Sequence, residues 1–64
     1  MTETPERLLR LADVKARVGL GKSKIYELIA EGCFPKPYKL TATASRWREN
    51  EIEAWLAEVI SSRG

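Results

Sequence analysis

The fold of this chain is decided at residues 18–23, whose sequence is VGLGKS. Together with Ala16, residues 21–23 have the spacing of a relaxed Walker A phosphate loop. The same stretch also suits the turn of a helix-turn-helix, where glycines permit a sharp bend and Lys22 opens the second helix. The first interpretation makes the chain an enzyme, and the second makes it a DNA-binding protein.

Size and composition fit one small globular domain. The 64 residues are 44% hydrophobic and 31% charged, and a chain of this length buries only roughly 60% of its unfolded surface. One cysteine and no histidine exclude an intramolecular disulfide and a Cys/His zinc site. We expect a domain over residues 7–61, between a flexible arm at residues 1–6 and a frayed end at residues 62–64.

Two further expectations concern location and cofactors. No apolar run approaches the roughly 18 residues of a membrane helix, and residues 1–5 lack a signal-peptide pattern. We therefore expect a cytoplasmic protein that has no membrane partner. We also expect it to need neither a metal nor a cofactor.

Basic residues are concentrated in the middle of the chain. Residues 15–48 hold eight Lys and Arg against two Glu, a net charge of +6. Residues 1–14 carry −1 and residues 49–64 carry −3, which leaves +2 for the whole chain. This distribution predicts one face that attracts polyanions and another that stays solvated and repels them.

The N-terminal half has the pattern of an extended segment followed by two helices. Residues 7–11 predict a brief strand or extended segment. A helix of about two turns follows from Ala12 to a stop at Gly19, with Asp13 favouring its start. A second helix is predicted over residues 22–31. Its core-facing positions, at the i, i+3, i+4 spacing, are Ile25, Leu28 and Ile29.

The C-terminal half has the pattern of a hairpin and a third helix. Residues 38–40 and 45–47 predict two strands joined by residues 41–44, and the turn sequence leaves their register weakly specified. Alternation along the second strand places Trp47 inward and its two flanking arginines outward. The last helix is amphipathic, with core spacing at Ile52, Trp55, Leu56, Val59 and Ile60.

The phosphate-loop interpretation lacks its structural context. A Walker A loop follows a buried strand and opens a long helix, whereas the residues before Gly21 have helical spacing. Without histidine, the commonest general base near neutral pH is missing. Ser23 and Lys24 are adjacent on a helix, where their side chains point about 100° apart. They therefore do not form a Ser-Lys catalytic pair. We therefore expect no enzyme. Among the remaining residues, we expect Phe34, Trp47 and Trp55 in the core and Cys33 in a small apolar gap.

The second helix and the hairpin fit a DNA-binding winged helix-turn-helix. The N-terminal residues of a recognition helix make most base contacts, and a narrow basic hairpin can contact the backbone or enter a minor groove. For Tyr26, both packing and a hydrogen bond to phosphate are open. The candidate DNA-binding residues are Gly21, Lys22, Ser23, Lys24, Tyr26, Glu27, Lys36, Lys39, Thr41, Thr43, Ser45, Arg46 and Arg48.

The order of motifs adds a family resemblance. Five motifs follow one another along the chain, at residues 7–11, 19–29, 32–37, 46–47 and 51–56. The second contains Ile-Tyr, and the third is Gly-x-Phe-Pro-Lys-Pro. This order resembles the AlpA family of phage and prophage regulators over nearly the whole chain. The resemblance implies a mostly α fold with a small β-hairpin. In detail, it implies a MerR-like winged helix-turn-helix of the excisionase type, with three helices and a two- to three-stranded antiparallel wing.

The resemblance also implies a function and partners. Such proteins regulate transcription, often of an integrase gene, or act as recombination directionality factors that bend DNA for prophage excision. Double-stranded DNA is then the main partner; integrase, RNA polymerase and further copies of the chain on DNA are additional candidates. The alternative is an adaptor for integrase or RNA polymerase that uses the outer face of the last helix, around Glu51, Glu53 and Glu58. Gly21 and Lys24 depart from the serine cap and the threonine usual in the family.

Overall fold

A computed structural model of the chain describes residues 7–62 and contains three helices and a three-stranded antiparallel sheet. The predicted arm at residues 1–6 lies outside the described residues, as do residues 63 and 64 of the predicted frayed end. The winged-helix class, mostly helical with a small β wing, is confirmed. No helix within residues 7–62 is long and apolar enough to cross a bilayer. The elements are β1 (Leu8–Leu9), α1 (Leu11–Val18), α2 (Lys22–Ala30), β2 (Tyr38–Thr41), β3 (Ala44–Arg48) and α3 (Glu49–Ser61).

Short local contacts set the ends of α1 and the start of α2. At the start of α1, the backbone N–H of Arg10 donates to Asp13 Oδ2 over 3.1 Å. Gly19 ends the helix with a φ of 73°, in the left-handed region that favours glycine, and donates its N–H to the Lys15 carbonyl. Gly21 is extended and caps α2. A helix therefore precedes the glycine junction, where a phosphate loop would require a strand.

The end of α2 is a Schellman motif. Gly32 has a φ of 75° and donates to the Ile29 carbonyl, while the Cys33 N–H donates to the Leu28 carbonyl over 2.8 Å. The helix thus ends at Ala30 with Glu31 as its cap, about one residue before the predicted end. This motif turns the chain sharply out of α2 and towards the sheet.

Strand β3 lies in the centre of the sheet, between β1 and β2. Leu9 pairs with Trp47 on one side, and Tyr38 pairs with Arg46 on the other. The β2–β3 hairpin, called the wing below, has a register irregularity between Lys39 and Thr41, as a weakly specified register allows. Both strands are longer than predicted, so that only residues 42 and 43 connect them.

The core takes one side chain from every helix, from β1 and β3, and from the segment before the wing. Phe34 and Trp47 are buried as predicted, and Trp55 is partly buried against them. Because β1, α1 and α3 all pack on β3, the wing continues directly from the core. The buried core residues are Leu9, Val14, Ile25, Phe34, Trp47 and Ile52.

Both tryptophan N–H groups fix the segment between α2 and the wing. Trp47 Nε1 donates to the Pro35 carbonyl over 2.9 Å, and Trp55 Nε1 donates to the Cys33 carbonyl over 2.7 Å. Phe34 lies between Cys33 and Pro35 in sequence. Its ring meets the Trp55 ring edge-on, with 4.7 Å between the ring centres. These contacts determine how the wing is placed relative to α2.

Two predictions about apolar positions are wrong. Cys33 is exposed, because the Schellman motif uses its backbone N–H and the next residue, Phe34, takes the core position. Val59 and Ile60 are 44% and 62% exposed. The 13-residue α3 is longer than the core against which it packs, and its contacts with the core end at Leu56.

Candidate nucleic-acid interface

The N-terminal turn of α2 presents three polar side chains to solvent. Lys22, Ser23 and Lys24 are exposed, whereas the next residue, Ile25, is completely buried and fixes the rotation of the helix. The cap residue, Gly21, has no side chain to accept hydrogen bonds from the first-turn N–H groups. Amide groups at a helix N-terminus, next to lysines, favour an anion such as phosphate.

The dimensions and the support of α2 suit a groove-binding helix. Its nine residues make a rod about 13 Å long, comparable to the roughly 12 Å width of the DNA major groove. Helix α1 packs against α2 and braces it, as the first helix of a helix-turn-helix does.

The charged side chains on α2 are weakly engaged by the protein. Lys24 Nζ lies 3.9 Å from Glu27 Oε1, and both side chains are more than half exposed. An exposed pair at this distance contributes little to stability. Within the described part of the chain, Lys22 forms no ion pair. Both lysines can therefore meet a ligand at low cost.

Tyr26 joins α2 to the wing. Its ring meets the buried ring of Trp47 edge-on, with 6.4 Å between the ring centres, yet the residue is 40% exposed. Of the two roles left open for Tyr26, packing against the protein is therefore the one that its ring has. The orientation of α2 relative to β3 is set in part by this contact.

The predicted wing residues differ in their exposure. Lys36 and Lys39 are exposed, and so are Thr41 and Thr43 near the tip, where Thr41 Oγ1 accepts the Thr43 N–H. Ser45 and Arg46 are half-buried, and Arg46 Nη1 donates to the Ser45 carbonyl over 2.9 Å. The wing therefore offers exposed lysines and hydroxyls, together with an arginine that already has a partner.

A carboxylate of α3 contacts the base of the wing. The Tyr38 hydroxyl donates to Glu51 Oε2 over 2.8 Å, and Arg48 Nη1 lies 3.8 Å from the same oxygen. Arg48 is exposed, as predicted, but it has an acidic partner within the protein.

The other acids at the start of α3 also pair with arginines. Arg17 donates Nε and Nη2 to the two carboxylate oxygens of Glu53, and Arg7 lies 3.6 Å from Glu49. The hydrogen bond from Arg17 holds the pKa of Glu53 below its usual value and, in turn, raises the pKa of Arg17. The predicted separation into a basic and an acidic face is therefore wrong for Glu49, Glu51 and Glu53, which lie beside arginines.

Comparison with known proteins bears on this arrangement. The family model described as Prophage CP4-57 regulatory protein (AlpA) matches residues 7–60, which run from just before β1 almost to the end of α3. The chain belongs to the AlpA family. It is also 42% identical over 60 residues to the uncharacterized protein ORF88 of Enterobacteria phage P4, covering 94% of this chain and 68% of that protein. No solved structure matches the chain.

Membership of the AlpA family confirms the resemblance found in the motifs and identifies the chain as a member of a prophage regulatory family. All the predicted DNA-binding residues fall within the matched region. Their contacts with DNA stay predictions. The structure brings α2 and the wing together through Tyr26 and Trp47.

Sequence reasoning missed two residues of this AlpA-family protein that bear on the wing. The sequence pattern places Tyr38 only in a strand and Glu51 only on the outer face of the last helix. Their hydrogen bond joins residues 13 positions apart, and helical or strand periodicity carries no signal for it. The near-adjacency of Arg48 and Glu51, three apart at a helix start, was the one available clue.

Proposed function

We propose that this AlpA-family protein is a sequence-specific DNA-binding regulator whose α2 enters the major groove while the wing contacts the adjacent backbone. The observation that carries the proposal is the exposed turn Lys22–Lys24, directed outward by the buried Ile25 and backed by α1. A polar turn at the N-terminus of a braced second helix is the geometry with which helix-turn-helix proteins read bases.

The residues make two kinds of contact under this proposal, and the lysines of α2 take part in both. Ser23 and Glu27 meet base edges together with the lysines of α2, and Glu27 is suited to accept from the amino group of cytosine. Lys22, Lys24, Lys39 and Arg48 contact phosphates and supply most of the affinity, and Arg46 adds a weaker phosphate contact; these contacts make binding salt-dependent. Hydroxyl groups at the wing tip, on Thr41 and Thr43, add phosphate contacts.

The biological role follows from the family. We propose that the protein controls transcription in a phage or another mobile element, for example of an integrase gene, or acts in prophage excision as a recombination directionality factor. Both roles act on bacterial DNA and thus in the cytoplasm. We assign no catalytic step and no cofactor to the chain.

Selection of bound duplexes from a random DNA pool tests the proposal. We expect a recovered consensus and binding that is tighter to it than to random duplex. If about four phosphates are neutralised, the slope of log K against log salt is about −4. Absence of binding to any duplex at low and moderate salt would contradict the proposal.

One observation favours a second candidate, an adaptor for integrase or RNA polymerase. Val59 and Ile60 form an exposed apolar end on α3, and such positions are common in protein contacts. Under this function, replacing both residues with serine abolishes retention of the partner and leaves DNA binding unchanged. A chain that binds no duplex but retains integrase or RNA polymerase would favour the adaptor.

A further inference from the structure

Helix α2 carries one acid on the side that faces away from the core. Ile25 is completely buried, and Ser23 and Glu27 each lie two residues from it, about 200° around the helix axis. Both are exposed, whereas Leu28 and Ile29 are partly buried against the core. Glu27 therefore lies on the face that meets DNA when α2 enters a groove, one helical turn after Ser23.

The carboxylate of Glu27 is weakly held by the protein. Its Oε1 lies 3.9 Å from Lys24 Nζ, and the side chains of Glu27 and Lys24 are 57% and 54% exposed. By contrast, the carboxylate of Glu53 accepts two hydrogen bonds from Arg17. Because water weakens a long, exposed ion pair, Lys24 does not cancel the negative charge that Glu27 presents.

A carboxylate on this face is unfavourable next to most of a DNA duplex. It accepts hydrogen bonds and donates none, and the phosphates repel it. In the major groove, guanine and thymine present acceptors, and adenine presents an acceptor beside its amino group. Cytosine presents an amino donor and no acceptor there. Cytosine is thus the base whose major-groove edge best suits Glu27.

We propose that Glu27 sets the specificity of α2 by lowering its affinity for every duplex that does not place a cytosine amino group opposite the carboxylate. The inference rests on the proposed DNA binding and adds a cost to it. Glu27 weakens binding to other sequences, and only a cytosine at one fixed position of the site compensates. Repulsion of the wrong partner is a general source of specificity.

Substitution of Glu27 with glutamine tests this cost. Glu27→Gln keeps the size of the side chain and removes its charge. We expect the affinity for random duplex to rise about threefold, the scale of an exposed charge interaction. The affinity for the duplex selected by wild type should fall about tenfold, the scale of one lost base contact. Fluorescence anisotropy at about 150 mM salt measures both, because charges farther than about 8 Å apart are then screened.

The base preference of the variant is a second readout. Glutamine pairs with N6 and N7 of adenine. When the selection from a random pool is repeated with Glu27→Gln, we expect adenine to replace cytosine at one position of the consensus. A merely structural role of Glu27 would lower the affinity without changing the preferred base.

A matched control separates this effect from a general change in charge. Glu31→Gln removes an exposed acid from the C-terminal end of the same helix, away from the N-terminal positions that contact bases. A general change in charge acts alike on all sequences. We therefore expect Glu31→Gln to change the affinities for both duplexes by the same factor and to leave the consensus unchanged. Circular dichroism of both variants reports whether α2 remains folded.

Two results would overturn the inference and leave the proposed function standing. One is a Glu27→Gln variant whose affinities for the selected and random duplexes change by the same factor. The other is a Glu27→Gln consensus that keeps the wild-type base at every position. In either case the wild-type chain still binds its selected duplex. A wild-type chain that binds no duplex, or that yields no consensus, contradicts both.

Discussion

The two lysines of α2 and the two arginines of β3 have equal formal charge, but the protein engages them to different extents. On α2, Lys22 and Lys24 are exposed, and Lys24 Nζ lies 3.9 Å from Oε1 of Glu27. On β3, Arg46 is half-buried and donates to a backbone carbonyl, and Arg48 pairs with Glu51. A count of charges along the sequence therefore overstates how readily the basic side chains of β3 can bind a ligand, whereas it describes those of α2 correctly.

The difference has a structural origin. Residues on the polar side of a helix whose apolar stripe is buried project away from the protein. Side chains on a sheet lie over neighbouring strands, and the planar guanidinium finds carbonyls and carboxylates within reach. Because α3 begins directly after β3, its first-turn acid Glu51 lies close to Arg48 of the wing. In this account, α2 is ready to bind, while the arginines of β3 must exchange partners first.

The largest effect is expected when the contact between α2 and the wing is removed. Trp47 is fully buried, meets Tyr26 of α2 and donates to the Pro35 carbonyl. We expect Trp47→Ala to lower the free energy of unfolding by about 3–5 kcal/mol, which is most of what so small a domain has. Urea denaturation followed by circular dichroism measures the change.

A control for this prediction is an apolar residue outside the core. Leu40 on β2 is 54% exposed, and Leu40→Ala is expected to change the free energy of unfolding by less than about 0.5 kcal/mol. If the Trp47→Ala variant unfolded within about 1 kcal/mol of wild type, Trp47 would not be the residue that joins α2 to the wing.

The next largest effect concerns α2. We expect Lys24→Ala to weaken binding to the selected duplex by about 1–3 kcal/mol if the side chain reads a base. Binding to random duplex should change much less, because base contacts contribute only to the specific complex. Anisotropy titrations against both duplexes measure the difference. An equal loss for both would make Lys24 a backbone contact.

A smaller effect is expected in the wing. Arg46→Ala should weaken binding to selected and random duplexes alike, by less than Lys24→Ala weakens specific binding, and should make the salt slope shallower by about 1. The loss is small because Arg46 must first leave the Ser45 carbonyl. A log K against log salt slope identical to that of wild type would remove Arg46 from the interface.

The smallest effect concerns Arg17, a residue of the basic middle of the chain that pairs with Glu53 of α3. The hydrogen bond from Arg17 lowers the pKa of Glu53 in the folded state. The pair therefore stabilises the fold above the ordinary glutamate pKa of about 4.3, and this contribution is lost as the pH falls through the lower folded pKa. We expect the difference in Tm between wild type and Glu53→Gln to shrink between about pH 6 and about pH 3.

A second acid on the same helix provides the control for this pH dependence. Glu58 is exposed and forms no ion pair within the described residues. Glu58→Gln should give a Tm difference from wild type that is small throughout the same pH range. A pH-independent difference for Glu53→Gln would show that the Arg17 pair does not contribute through charge.

Local sequence patterns were sufficient to predict the helices and the turn. Gly19 and Gly32 both have positive φ, and Ile25 is buried at the position its spacing indicates. Each of these features depends on residues within one or two helical turns. The core positions of Phe34 and Trp47 followed from the same local reasoning.

The partners of the charged residues could not be predicted in this way. Arg17 and Glu53 are 36 positions apart, and Tyr38 and Glu51 are 13 apart, so that their contacts depend on how α3 crosses the sheet. The error over Val59 has a similar cause, because periodicity gives the face of a helix but not the length of the core that covers it. The indole donors of Trp47 and Trp55 were missed because their acceptors are backbone carbonyls.

An NMR titration with a selected duplex tests the central claim most directly. The account predicts the largest amide shift changes at residues 22–27 of α2, smaller ones in the wing, and little change at Val59 and Ile60. A titration with random duplex should reduce the changes at α2 more than those in the wing. Shift changes confined to the end of α3, with α2 unaffected, would contradict the claim that α2 is the part of the protein that reads DNA.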